Sequence, residues 1–225
     1  MGSTINDWYR IEPLTQQNGA EISRFLVKHF LVEEPLNRAS GMTVKNFMPF
    51  VENLILRTLN VPFSYAARSN ETNEIIGCSM SSLWRKCEHS EPPTDDFSFG
   101  GRENPSIGAV GRILTNLHER LFLIKPELDT VVHLEILSVA KEFQRKGVAS
   151  ALMNRQENAD MLKRYWASGI AAEVSSYANQ CLMKKRGYES LDEILLSNEV
   201  DINGKRLLEC DDGTDRVVLA YKHLV

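Results

Sequence analysis

Residues 131–152 read VVHLEILSVAKEFQRKGVASAL, and this stretch decides the fold. Its first nine residues are dense in β-branched and apolar side chains, which predicts a central, well-buried strand over Val131 to Val139. Next comes Gln144-Arg145-Lys146-Gly147-Val148-Ala149, a strand-to-helix turn. The first N–H groups of a helix have no intrahelical acceptor and carry partial positive charge, so such a turn suits a pyrophosphate. Gly147 lets backbone approach closely, and Ala149 keeps the helix start uncrowded. Arg145 and Lys146 are unfavourable beside a helix N-terminus unless an anion sits there, which makes their presence informative. A polar loop that merely opens a helix is the plainer alternative.

Around this core the chain alternates helical and extended periods. Tyr9 to Glu12 reads as a first strand. Ile22, Phe25, Leu26, His29 and Phe30 share one helical face, in a helix expected to stop at Pro35. A second helix is predicted over Thr43 to Leu59, then a hairpin of Phe63 to Arg68 and Ile75 to Trp84. Lys86 to Pro105 reads as a long surface loop and Ile107 to His118 as weakly helical. Beyond the central strand, a helix over Ser150 to Tyr165, a strand over Ile170 to Val174 and a helix over Tyr177 to Arg186, ended by Gly187, are expected. Strands near Glu193 and over Arg216 to Lys222 close the chain, with Asn203-Gly204 in their connection. The fold class is mixed α/β, and with neither repeat nor low-complexity linker a single domain over residues 1–225 is expected.

Bulk composition agrees. The 225 residues are 43% hydrophobic, enough for a sizeable core, and the net charge of −4 gives no footprint for nucleic acid. Cys78, Cys87, Cys181 and Cys210 form neither a CxxC nor a Cys/His pattern, so no structural metal and no disulfide framework is expected. Residues 1–10, MGSTINDWYR, lack the basic and apolar segments of a secretory signal, and no stretch approaches the ~20 apolar residues of a membrane span. Asn6 stands where a myristoylation motif wants Ser or Thr. The expectation is a cytoplasmic protein without membrane or nucleic-acid partners, monomer or homodimer.

The hexapeptide Gln144 to Ala149 resembles motif A, Q/R-x-x-G-x-G/A, of the GNAT superfamily of N-acetyltransferases, and the order of elements matches over nearly the whole chain. The resemblance implies acetyl-CoA as co-substrate, with its pyrophosphate on the N–H groups of Arg145 to Ala149. The contacts it implies comprise Leu137, Ser138, Val139, Gln144, Arg145, Lys146, Gly147, Val148, Ala149, Ser150 and Asn179. It further implies a V-shaped cleft between the strands of Leu137 and Val174, holding the thioester.

A narrower signal is FLVEEPLNRASG, Phe30 to Gly41, similar to the D/E-E-P-L-N signature of insect-type arylalkylamine N-acetyltransferases. That resemblance makes Glu34 the general base. An ammonium must lose a proton before attack, and a carboxylate in a closed cleft can have its pKa raised enough to accept one. An acidic helix end before a Pro stop is the alternative. VSSYANQCLMKKRGYE, residues 174–189, resembles the same family's segment with two serines four residues apart. Ser175 takes the first position, and Asn179 replaces the second. Met183 stands where many relatives carry a general-acid Tyr, with Tyr177 nearby as substitute. Ser175 and Ser176 equally suit helix capping.

Glu135 and His133 share a face of the central strand. Glu135 is the reserve base, and His133 is read as hydrogen-bonded structure. Phe47, Met48, Phe50 and Tyr65 suit either an aromatic amine pocket or ordinary core. The expected reaction is direct attack of a small primary amine, such as dopamine, serotonin, tyramine or octopamine, on acetyl-CoA in a ternary complex. Polyamines, amino acids or peptides as acceptors, or a weakly catalytic acyl-CoA-binding module, are the alternatives.

Overall fold

The computed structural model describes residues 8–88 and 104–225. Strands β1 (Tyr9–Pro13), β2 (Tyr65–Ser69), β3 (Ile75–Arg85), β4 (Thr130–Val139), β5 (Gly169–Val174), β6 (Glu189–Leu195) and β7 (Arg216–His223) form one mixed sheet in the order β1-β2-β3-β4-β5-β7-β6. Every neighbouring pair is antiparallel except β4 and β5. Parallel neighbours need a crossover, which α7 (Val148–Gln156) and α8 (Ala159–Arg164) supply.

Strand alternation distributes β4 between two cores. Val132 and Leu134 pack with Leu152 and Met153 of α7 on one face, whereas Val131 joins Ile113, Leu117 and Leu219 on the other. A register shift between Met80 and Ser81 breaks the alternation opposite β4. Ile136 therefore turns to the cluster of Phe47, Val51 and Leu54 on α4 (Val44–Thr58), and Leu137 returns to the α7 side. Gly77 on β3 permits this layering, because a Cβ there would lie 3.1 Å from Ser138 O and 3.2 Å from a Val148 methyl.

The opening helix runs as α1 (Gly19–Phe25), a π-helical turn over Leu26–Phe30, and α2 (Leu31–Glu33). Pro35 does not merely stop it. The proline starts α3 (Pro35–Ser40) at a position where its missing N–H is of no consequence, with Glu34 as the N-cap. The helix expected over Ser150 to Tyr165 starts earlier and divides, because Asn158 caps α8 through its side chain, accepting from Asp160 N and Met161 N. Two further helices, α5 (Pro105–His118) and α6 (Leu121–Ile124), precede β4, and α9 (Tyr177–Lys185) follows β5. The loop expected at Lys86 to Pro105 lies almost wholly outside the described residues, as does Asn6. Among the described residues no helix is long and apolar enough to cross a membrane.

Candidate active site

The turn after β4 has the predicted form. Gln144 is extended, Arg145 and Gly147 take positive φ of 61° and 85°, and α7 begins at Val148. The first backbone bond into α7 runs from Ala151 N to Gly147 O, so the N–H groups of Val148, Ala149 and Ser150 precede it with no intrahelical acceptor. A Cβ on Gly147 would meet nothing within 4 Å, so the turn faces open space and the glycine answers the backbone angle alone. Lys146 Nζ lies 5.5 Å from the Phe143 ring centre and 6.0 Å from that of Trp8. Open amides, a helix start and two cations fit a diphosphate.

Beside the turn the sheet parts. Among the described residues β4 and β5 pair only at Val132 with Ile170 and His133 with Ala171, so beyond His133 the edge of β4 that faces β5 has no strand partner among them. Leu137, Ser138 and Val139 line that edge. Asn179, near the start of α9, reaches across and donates from Nδ2 to Leu137 O at 3.3 Å. This is the splay expected between the strands of Leu137 and Val174.

Glu34 stands at the same end of the sheet. It is only 9% exposed, and its two oxygens have separate donors: Oε2 accepts from Asn37 N at 2.7 Å, and Oε1 from Ser175 Oγ at 2.8 Å. Burial pushes the Glu34 carboxyl above the usual carboxylate range, against the opposing pull of these two bonds. Ser175 follows β5 directly, while Ser176 caps α9 by accepting from Asn179 N at 3.3 Å. The two serines thus divide the roles that the sequence left joined. Tyr177 is exposed and Met183 is buried.

Neighbouring Glu33 ties this segment to the turn. It accepts from Gln144 Nε2 at 2.7 Å and from Lys141 N at 3.3 Å, and Gln144 Nε2 also donates to Val139 O at 2.9 Å. From the other side, the connection between β6 and β7 closes over α3, where Arg38 Nε donates to Asp211 Oδ2 at 3.1 Å. Burial, with Glu34 and Asp212 nearby, pushes the Cys210 thiol up to about 12. That sulfur stays protonated and is no nucleophile.

Glu135 is committed differently. Arg57 Nε lies 2.9 and 2.7 Å from its two oxygens, and only 5% of the Glu135 side chain is exposed. His133 Nε2 contacts Glu173 Oε2 at 2.5 Å. Phe47 and Phe50 are core residues whose rings meet at 5.5 Å between centroids, tilted by 38°. The Asn37 cap, the Glu33 to Gln144 bond and the Glu173 partner of His133 were not anticipated. The first two have a signal only in the shared stretch EEPLN and motif A, and the third has none.

No family model matches the sequence, and no curated protein matches it significantly. Solved structures do. Arylalkylamine N-acetyltransferase 2 from Aedes aegypti superposes with a TM-score of 0.81 at 19% identity, over 96% of this chain and 99% of that one. Polyamine N-acetyltransferase from Drosophila melanogaster gives 0.77 at 14% identity, over 96% and 100%. A mosquito arylalkylamine N-acetyltransferase-like 5b gives 0.71 at 17%, over 96% and 100%. The chain therefore has the α/β GNAT fold and resembles insect arylalkylamine N-acetyltransferases in architecture.

Proposed function

We propose that the chain is an N-acetyltransferase that moves an acetyl group from acetyl-CoA to the nitrogen of a small primary amine. The observation that carries this is Glu34: a nearly buried carboxylate with raised proton affinity, held from both sides, where β4 and β5 part. Acetyl-CoA supplies the activated acyl group. The chain's own residues bind its diphosphate on the amides of Arg145 to Ala149, flank its arm with Leu137 to Val139, and remove a proton from the amine at Glu34.

Glu34 attracts the ammonium and accepts its proton, with Ser175 Oγ fixing the carboxylate plane. The neutral amine then attacks the acyl carbonyl directly, and the thiolate departs with a proton. N–H groups on the open edge of β4 suit the developing oxyanion, a contribution typically worth ~3 kcal/mol. Glu135 is the poorer candidate because both of its oxygens are already engaged by Arg57.

Arylalkylamines are the preferred acceptors on this reading, supported by the stretch Glu33 to Asn37 and by the Aedes neighbour; the Drosophila neighbour places polyamines in the same test. Steady-state acetylation of a panel of arylalkylamines, polyamines, amino acids and peptides decides the acceptor. Turnover of arylalkylamines alone is the expected result, and their inertness beside active polyamines would end that preference.

Asn179 favours a second reading. Its bond to Leu137 O spans the splay where the acyl arm is expected. A module that binds acyl-CoA without turnover would show calorimetric CoA binding and no product with any amine.

A further inference from the structure

Three side chains outside this machinery converge beneath it. His118 ends α5, His133 lies on β4 and Glu173 on β5. One ligand atom from each lies within 4.8 Å of the other two: His118 Nδ1, His133 Nε2 and the Glu173 carboxylate. Glu173 is 7% exposed at its side chain, and its Oε2 meets His133 Nε2 at 2.5 Å. Its Oε1 is buried without a hydrogen bond, with His118 Nδ1 facing it at 3.4 Å. Trp84 stacks on the His118 ring at 3.7 Å between centroids, and Phe122 packs on Trp84.

A buried carboxylate oxygen without a donor costs free energy unless something positive completes it. Imidazole nitrogen and carboxylate oxygen are the donors preferred by zinc-class ions, and two histidines with one glutamate leave a fourth position open. Such an ion needs bonds of about 2.0–2.2 Å, so the 2.5 Å contact between His133 and Glu173 has to open as the ion enters between them. The ion would displace the proton shared between His133 and Glu173 to solvent. His118, at 31% side-chain exposure, leaves a path of entry.

We propose that His118, His133 and Glu173 form a binding site for a divalent transition-metal ion of the zinc class. The site does not rest on the acetyl-transfer reading, since none of its three ligands has a role in the reaction proposed above. Glu173 nevertheless lies on β5 two residues before Ser175, which follows the strand, roughly 6–7 Å along extended backbone. A bound ion would add positive charge close in sequence to Ser175, the partner of Glu34, and weaken the capture of a cationic amine.

The test is calorimetric titration of the chelator-treated full chain with Zn2+, and separately with Co2+ followed by absorption. One ion per chain, a tetrahedral cobalt spectrum without a thiolate band, and quenching of Trp84 fluorescence by Cu2+ are expected. Glu173→Gln and the partly exposed His118→Gln should each weaken Zn2+ binding by more than the ~10–100-fold that loss of an outer-shell partner costs. Circular dichroism reports whether each variant remains folded, and His118→Gln, at the less buried position, carries the test if Glu173→Gln does not fold. No ion bound, a thiolate-to-cobalt band, or undiminished binding in a folded His118→Gln protein would overturn the site and leave a structural clasp between α5 and the sheet.

Discussion

Ser175 Oγ donates to Glu34 Oε1 at 2.8 Å across 141 residues of sequence, joining the end of β5 to the N-cap of α3. The bond favours the ionised carboxylate, in opposition to burial. Ser175→Ala removes one of two donors, so the Glu34 carboxyl rises further. The acid limb of the kcat/KM profile should move to higher pH, with rate lost near neutrality and retained in alkali. A profile that keeps its limb while the rate falls at all pH values would deny Ser175 this role.

Glu34→Gln separates chemistry from packing. The amide still accepts from Asn37 N and can donate to Ser175 Oγ, but it takes no proton. Turnover should fall about 10²–10⁴-fold. Because the folded carboxyl binds protons more tightly than the unfolded one, its contribution to stability is full below the unfolded value and is lost as pH rises through the raised one. At neutral pH the variant should melt no lower than the parent, as differential scanning calorimetry would show.

Glu135→Ala should act on stability instead. Removing Glu135 leaves the part-buried Arg57 without its carboxylate, at a cost of about 1–3 kcal/mol. Urea denaturation measures this, and activity per folded molecule should change little. A folded Glu135→Ala protein without activity would transfer the base to Glu135.

Gly147→Ala tests the turn. Its φ of 85° strains any L side chain by ~1–2 kcal/mol, although space is free. The KM for acetyl-CoA should rise more than kcat falls, since the distortion lies at the amides and not at Glu34.

Asn179→Ser restores a hydroxyl and removes the bond to Leu137 O. Faster turnover in this variant would show Asn179 to be a brake on the cleft. No turnover in parent or variant, with CoA still bound, would favour the binding module.

Much of this architecture was legible because it is local. The apolar run of β4, the Gly147 turn and the α4 period each lie within about twenty residues, where side-chain period reports burial directly. The opening helix ends before Pro35 as expected, but the helix that Pro35 begins was not legible, because proline ends one helix and begins another with equal ease. The division at Asn158 failed for a related reason, as a cap inside an apolar period leaves the period intact. Glu34 and Ser175 came from resemblance alone, and the cluster of His118, His133 and Glu173 from neither source. Its members sit on three elements whose juxtaposition no spacing encodes.

The anchoring of the β6–β7 connection on α3 has a consequence for biogenesis. Arg38 finds Asp211, 173 positions further along the chain, only after that stretch has emerged from the ribosome, and Glu34 must likewise wait for Ser175. A nascent polypeptide therefore carries an unfinished pocket until its last hairpin docks, and any fragment truncated before that hairpin would expose Glu34 to water and forfeit its heightened basicity.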